Sequence, residues 1–459
     1  MKRDASDTNV LFIIADQHKK AVTGCYGHPL VQTPNIDALA ARGVRFSSAY
    51  CASPLCGPSR SALMTGTHPH TCGGLTHTQL PPLRIMPTLG TVFREAGYVT
   101  GSIGKMHIRG EDDVRDLGFD ERELRYYTYA YRDYIIAVGE ENVDRYNTYR
   151  GGSRAPKRDY YNPDNRPVDM DEPMMYDALV AERSIAFLER HRRDRFFLFV
   201  GFEKPHPEWY APAAFHALYD PAKVTLPETL REKAPGIPES ISRRQTAADR
   251  YTDDQVRGAM AAYYANVSCL DAKVGRVLEA LERLGLAEKT LVVYTTDHGD
   301  MLFEHGMVQK HCFYEPAVAV PLVMACPGLV PAGVVRDHVV GFIDLFPTLL
   351  DLTGLAHPDG LEGTSLTDVL TGEAPEEGRA AFAEFYKRGI SERMVRTAEW
   401  KYIHMEGEIP QLYDERNDPL ERTNLAPDPA YAEVCRELRE RVLAGWEMPD
   451  ADVIRPPKR

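Results

Sequence analysis

The chain has 459 residues, of which 43% are hydrophobic and 26% are charged, and its formal net charge is −13. This composition predicts a globular protein with one large domain and a smaller one attached. The acidic balance argues against nucleic-acid binding, and an anionic substrate would have to be met by local cations.

The first nine residues carry charge but no apolar segment typical of a signal peptide, and the apolar run 10–15 is too short to span a membrane. We therefore expect a cytoplasmic protein that does not enter a membrane. The eight cysteines show neither a framework spacing nor a CxxC pair, so we expect mostly reduced thiols.

Apolar runs alternate with helical patterns along the chain. Four runs, at 9–15, 98–103, 196–202 and 290–296, read as buried strands. The alternation is typical of an α/β domain with a mainly parallel sheet. Ligands bind at the carboxyl ends of such strands, so the polar residues that follow the runs should share one site. These residues include Asp16, Gln17, Lys105, His107, His206, Asp297 and His298.

The segment Cys56-Gly57-Pro58-Ser59-Arg60 introduces a short helix, which we predict from Pro58 to Thr65. Proline is well tolerated at the first helical position, and Gly66 is a natural stop. Cys56 would lie beside the helix N-terminus, where free N–H groups favour a thiolate or a bound oxyanion. Taken alone, such a cysteine is more often a small buried hydrophobic residue.

Two further segments bear on the organisation of the domain. Thr252 has capping-box spacing and begins a long helical pattern that ends at Gly285, before the fourth strand. The tyrosine-rich segment 125–161 is either an insertion with aromatic walls for a substrate or ordinary surface packing.

A polar, turn-rich stretch at 372–378 marks a domain boundary. We predict a catalytic domain over 1–375 and a C-terminal α+β subdomain with a tail over 376–459. The subdomain should hold a small antiparallel sheet and a closing helix. Its strand candidates are 381–386, 393–397, 400–404 and 411–414, and the helix candidate is 432–446.

Two pairs of donors follow the first and fourth strands, Asp16 with Gln17 and Asp297 with His298. Their oxygen and nitrogen atoms suit one divalent cation. The alternative is that either pair only satisfies the amides of a turn.

The Cys-x-Pro-Ser-Arg segment, followed by a short helix and Thr65-Gly66, resembles the signature of the sulfatase family. The segments 33–46 and 400–424 are also similar to that family. The resemblance implies an alkaline-phosphatase-like three-layer α/β core. It also implies that a maturation enzyme oxidises Cys56 to formylglycine. One hydroxyl of the aldehyde hydrate would then attack sulfur, and the other would later expel sulfate.

In the same pattern, a divalent metal binds the hydrate and lowers the pKa of its hydroxyl. The implied ligands are Asp16, Gln17, Asp297, His298 and the modified Cys56. The commonest pattern has two aspartates at the first pair and Asp-Asn at the second, so Gln17 removes a negative charge and His298 adds an imidazole. This leaves Ca²⁺ or Mn²⁺ open and is similar to the branch of phosphonate monoester hydrolases and choline-sulfatase-like enzymes.

The resemblance also implies roles for five further positions. Lys105 and Lys310 would stabilise the oxyanion, and Arg60 would fix the hydrate. His107 would accept the proton of the second hydroxyl, and His206 would protonate the leaving group.

These features together predict a sulfatase that hydrolyses an aryl or small-molecule sulfate ester. A phosphonate monoester or phosphodiester hydrolase with the same nucleophile is the alternative enzyme. An inactive binding protein of this fold is the third reading, if Cys56 stays unmodified. The natural substrate and the oligomeric state are left open.

Overall fold

The structure, a computed structural model, describes residues 7–76, 87–108, 117–124, 161–168, 172–234, 236–375, 378–387 and 390–446. The tyrosine-rich segment lies outside these ranges except for Tyr161, and so does the tail from 447. Within these ranges, no helix has the length and apolar character needed to cross a membrane. All eight cysteines are free thiols.

The main sheet has eight strands and is mainly parallel, as predicted. Its strands are β1 (Asn9–Asp16), β2 (Val44–Tyr50), β3 (Val99–Gly104), β4 (Glu121–Glu123), β5 (Phe196–Pro205), β6 (Thr290–Thr296), β7 (Leu322–Ala325) and β8 (Val334–Gly341). Their order is β4-β3-β5-β1-β6-β7-β2-β8. Only β7 runs against its neighbours, so the carboxyl ends of the predicted strands β1, β3, β5 and β6 meet at one edge.

Helices cover both faces of this sheet and make a three-layer core. The described α-helices are α1 (Pro34–Ala41), α2 (Cys56–Thr65), α3 (Pro69–Cys72), α4 (Leu89–Glu95), α5 (Tyr176–Arg190), α6 (Ala213–His216), α7 (Glu239–Arg244), α8 (Asp253–Arg283), α9 (Glu315–Val318), α10 (Leu345–Thr353), α11 (Thr367–Thr371) and α12 (Ala432–Leu443).

Strand β1 shows how the layers arise, because its side chains alternate between the two faces. Phe12 and Ile14 enter the apolar core that contains α2, α4 and α10. Leu11 and Ile13 enter the opposite core, with α1, α5 and α8. Every residue of β1 is buried, which explains its nearly unbroken apolar sequence.

The long predicted helix is α8. The side chain of Thr252 accepts a hydrogen bond from the backbone of Gln255, and the reciprocal bond of the capping box is also present. The helix ends at Arg283, just before Gly285, whose φ of +68° suits glycine.

The second sheet and its helix follow the prediction closely. The strands are β9 (Ala381–Lys387), β10 (Ile390–Arg396), β11 (Trp400–Met405) and β12 (Gln411–Asp414), all antiparallel in the order β12-β11-β10-β9. Leu438 and Val442 of α12 pack against Val395 and Tyr402 of this sheet. The predicted division of the chain into 1–375 and 376–459 stays a prediction.

Buried ion pairs join the two sheets. Nζ of Lys401, on β11, lies 2.7 Å from Glu315 at the start of α9, 2.6 Å from Glu421 and 3.3 Å from Glu415. Because Glu315 follows the loop that carries Lys310, the second sheet supports one wall of the predicted site.

Candidate active site

The carboxyl edge of the main sheet collects the predicted site residues. Asp16 is the last residue of β1, and Asp297 directly follows the neighbouring strand β6. Lys105 follows β3, and His206 follows β5. These strands are consecutive in the sheet, so residues that are far apart in sequence become neighbours.

Cys56 is the first residue of α2, which therefore starts two residues earlier than predicted. Leu55, in an extended conformation, is the N-cap, and the helix ends at Gly66 with φ +65°. A Cβ at Gly66 would lie 2.7 Å from Leu361, so close packing also favours glycine there. All ten residues of α2 are buried, which fixes Cys56 firmly at the sheet edge.

The thiol of Cys56 lies among groups from separate parts of the chain. Sγ is 3.0 Å from Nε2 of His298, 3.8 Å from Oδ1 of Asp16 and 3.6 Å from Nζ of Lys310. His107 also forms a side-chain hydrogen bond with this thiol. A reactive group at position 56 would therefore contact donors, acceptors and a cation at the same time.

Arg60, one turn after Cys56, is completely buried and binds both strand ends. Its Nε donates to Oδ2 of Asp297 at 2.8 Å, and an Nη atom lies 3.4 Å from Oδ2 of Asp16. Its other Nη atom donates to the carbonyl of Lys105 at 2.7 Å. Arg60 thus ties α2 to β1, β6 and the loop after β3.

The two lysines bind different members of the cluster. Nζ of Lys105 lies 2.6 Å from Oδ2 of Asp16. Nζ of Lys310 donates to the side-chain carbonyl of Gln17. Both ammonium groups are at least 95% buried, and buried charges require such partners.

These charges shift the pKa values of the cluster. Burial disfavours the thiolate of Cys56, but Lys310 and His298 outweigh this effect and hold the pKa of the thiol well below its usual value. Burial and Cys56 act against ionisation of Asp16, but the ion pair with Lys105 prevails and the pKa of Asp16 also lies well below its usual range. The cluster therefore stabilises the anionic forms of Cys56 and Asp16, whereas burial and the neighbouring Asp16 raise the pKa of Asp297.

The donor set fits a divalent metal. Ligand atoms of Asp16, Cys56, Asp297 and His298 all lie within 4.8 Å of one another, and all four residues are buried. Nδ1 of His298 donates to the carbonyl of Gly299 at 2.9 Å, which leaves Nε2 as the ligand atom. Carboxylate and imidazole donors of this kind suit a divalent cation such as Ca²⁺ or Mn²⁺.

His206 lies beside these charges and is partly exposed. Its Nδ1 donates to the carbonyl of Pro207 at 2.5 Å, so Nε2 is the atom that can exchange a proton. Desolvation, Lys310 and Lys105 outweigh the opposing effect of Asp16 and lower the pKa of His206 to about 3. Its imidazole is therefore neutral at physiological pH while the site holds no anion.

All ten predicted positions thus lie in one cluster, and the structure adds supporting residues that the sequence analysis did not assign. Asp300 accepts a hydrogen bond from the side-chain amide of Gln17. The hydroxyl of Tyr263, on α8, donates to the backbone carbonyl of Gln17 at 2.7 Å. Arg244 donates to the carbonyls of Lys310 and His311. Of these supporting residues, only Asp300 could have been identified from the sequence, because it stands two residues after the predicted ligand His298.

Comparisons with known proteins cover both sheets. The profile of the family described as Sulfatase matches residues 8–355, and that of N-sulphoglucosamine sulphohydrolase, C-terminal, matches residues 303–447. Choline-sulfatase of Rhizobium meliloti (strain 1021) is 30% identical over 462 residues, which cover 96% of this chain and 87% of that protein. Delta 4,5-hexuronate-2-O-sulfatase of Bacteroides thetaiotaomicron is 31% identical over 458 residues, which cover 94% and 87%.

Solved structures are similar over the same length. The crystal structure of the phosphonate monoester hydrolase of Agrobacterium radiobacter superposes with a TM-score of 0.81 at 26% identity, and the match covers 95% of each chain. The three-layer architecture predicted from the sequence is therefore confirmed.

Proposed function

Because the chain belongs to the sulfatase family and is a sulfuric ester hydrolase, we propose that it hydrolyses an aryl or small-molecule sulfate ester with Cys56 converted to formylglycine. One observation carries this proposal. Position 56 is one of four buried donors, with Asp16, Asp297 and His298, whose ligand atoms lie within 4.8 Å of one another, and Lys310 reaches it from another loop.

Formylglycine at position 56, as its hydrate, would supply the attacking hydroxyl and would release sulfate as the aldehyde re-forms. The metal would lower the pKa of that hydroxyl and neutralise charge on the group that is transferred. Asp16, Asp297 and His298 would hold the metal, together with the side-chain oxygen of Gln17. We propose that a formylglycine-generating maturation enzyme acts on Cys56.

The balance of charge supports an anionic substrate. Arg60, Lys105 and Lys310 bring three positive charges, against the two carboxylates of Asp16 and Asp297 at the strand ends, while Asp300 lies farther back, behind Gln17. A divalent cation would make the site more positive still. Lys105 and Lys310 would therefore bind the ester oxygens and stabilise the charge that develops on them.

Two histidines would move the protons. His107 bonds position 56 directly, so it is placed to accept a proton from the hydrate. His206 would protonate the leaving oxygen through Nε2. Burial, together with the charges of Lys310 and Lys105, lowers the pKa of His206. A bound anion would offset those two charges and shift the pKa of the imidazole upward, toward the protonated form.

A phosphonate monoester is the second candidate substrate. Gln17 stands where the commonest sulfatase pattern has an aspartate, and the similarity to a phosphonate monoester hydrolase extends over 95% of the chain. With fewer carboxylates around the metal, the site would repel a phosphoryl oxyanion less strongly.

A substrate panel tests the proposal. The protein, produced with a maturation enzyme, would be assayed on an aryl sulfate, choline sulfate, sugar sulfates and a phosphonate monoester, with Cys56→Ala as the control. We expect a sulfate ester to give the highest kcat/KM, about tenfold or more above the phosphonate, which corresponds to at least about 1.4 kcal/mol in transition-state binding. A faster phosphonate would favour the second candidate, and rates equal to those of the control would leave only a binding role.

A further inference from the structure

Asp300 lies behind Gln17 and is completely buried. One carboxylate oxygen, Oδ2, accepts a hydrogen bond from Nε2 of Gln17. The other, Oδ1, accepts the backbone N–H of Leu302 at 2.7 Å. Asp300 therefore joins the loop after β6 to the side chain that follows β1.

The opposite end of the Gln17 amide contacts Lys310, whose Nζ donates to Oε1. An ammonium group has only donors, so it can pair with the amide oxygen but not with the amide nitrogen. The NH₂ group must then find an acceptor, and Asp300 provides it. The two partners together leave one orientation of the amide, with Oε1 toward the cluster.

The backbone of Gln17 is fixed as well. Its N–H donates to Oδ1 of Asp297 at 3.1 Å, and its carbonyl accepts from Tyr263 at 2.7 Å. Its φ of +66° is uncommon for a residue with a side chain. With the backbone held in place, the remaining freedom of Gln17 is the direction of its amide.

We propose that Asp300 is a positioning residue, which orients the Gln17 amide with its oxygen toward the metal site and polarises it through the hydrogen bond to Nε2. A carboxylate that accepts from the NH₂ group makes the amide oxygen a better ligand, as outer partners do for metal-binding side chains. The inference rests on the metal site of the proposed function.

The test is the affinity of the metal-free, full-length protein for Mn²⁺, measured by titration calorimetry. Asp300→Asn should weaken binding by about tenfold or more, within the range found for outer-shell partners. The reciprocal double variant Gln17→Glu with Asp300→Asn should restore the affinity to within about threefold of the wild type or better. In that variant the carboxylate moves to position 17, and the amide donates to it.

A matched control and an independent variant complete the design. Asp271 is also buried, and it accepts a hydrogen bond at 2.8 Å from the backbone N–H of Ile36, a residue of α1. Asp271→Asn should therefore leave the Mn²⁺ affinity unchanged. Gln17→Met keeps the length of the side chain but removes both ends of the amide. Its affinity for Mn²⁺ should fall at least as far as that of Asp300→Asn. Gln17→Met therefore tests the inference even if Asp300→Asn does not fold.

The outcomes separate the two proposals. If the wild type binds Mn²⁺ and either Asp300→Asn or Gln17→Met binds it equally well, the inference alone is wrong. The same conclusion follows if Asp300→Asn weakens binding and the double variant, Gln17→Glu with Asp300→Asn, does not restore it. If the wild type binds neither Mn²⁺ nor Ca²⁺, the metal site of the proposed function is wrong as well.

Discussion

Sγ of Cys56 lies 3.0 Å from Nε2 of His298, although the two residues are 242 positions apart in the chain. The contact exists because α2 begins at the edge of the sheet where β6 ends. It places the proposed nucleophile directly against a proposed metal ligand. Cys56→Ala should therefore lower kcat/KM for an aryl sulfate by at least about a thousandfold, as expected for the loss of a covalent nucleophile. Normal turnover by this variant would mean that position 56 is not the nucleophile.

Metal removal should affect activity and stability together. A chelator should abolish turnover, and Mn²⁺ or Ca²⁺ should restore it. At a concentration one hundred times its Kd, the metal should raise the free energy of unfolding by about 2.7 kcal/mol. His298→Ala should lose most of this stabilisation, because it removes one member of the donor group. An unchanged melting temperature and full activity after chelation would exclude a metal at this site.

His206→Ala should reduce activity in a way that depends on the leaving group. Alkyl sulfates release a basic alkoxide and need a proton donor, whereas nitrophenyl sulfate does not. We expect the loss in kcat to be at least about tenfold greater for the alkyl ester. The dependence of log kcat on leaving-group pKa measures this effect. Equal losses on both esters would remove the acid role of His206.

Glu392, on β10, should make stability depend on pH. It is 4% exposed, and burial raises its pKa to about 8 against the opposing effect of Arg244. The folded state thus binds this proton more tightly than the unfolded chain does, in which a glutamate has its usual pKa of 4.5. The contribution to stability is complete below pH 4.5 and is lost as the pH rises through 8.

The Glu392→Gln variant should not show this loss. Between pH 5.5 and 8.5, the free energy of unfolding of the wild type should fall by about 1 kcal/mol or more relative to the variant. Denaturant unfolding at the two pH values measures the difference. Parallel pH profiles for the two proteins would show that Glu392 does not titrate in this range.

The buried ion pairs of Lys401 should be important for the second sheet. Lys401→Met would remove the buried cation that Glu315, Glu415 and Glu421 share. Arg396 would still lie near Glu315 and Glu415, but the buried Glu421 would lose its cation, which should cost about 3–5 kcal/mol. The exposed pair between Arg42 and Glu282 is the matched control, and Arg42→Met should cost at most about 1 kcal/mol. Similar melting temperatures for the two variants would contradict this account.

Much of the fold could be predicted because the central strands of the main sheet, β1, β5 and β6, are buried on both faces. Continuous apolar runs such as β1 and β5 follow directly from that burial. The parallel arrangement then predicts that the residues after the strands meet. The start of α2 could not be predicted as well. Gly57 and Pro58 favour a start at Pro58, whereas the helix begins at Cys56, because all of its residues from Cys56 onward pack in the buried interior.

The supporting residues of the site could not be predicted in the same way. Arg244 reaches the carbonyls of Lys310 and His311 from a short helix, and no periodic pattern relates these segments. Gln309 and His311 also have positive φ values, which tertiary contacts impose and local sequence does not favour. No local pattern in the sequence predicts the place of Lys310 in the site, so only the family resemblance indicated it.

The central claim concerns the chemical state of position 56. The most direct measurement is mass spectrometry of the peptide that contains residues 56–60, from protein produced together with a formylglycine-generating enzyme. The account predicts an aldehyde, or its hydrate, in place of the thiol. Only unmodified cysteine in such protein would contradict it.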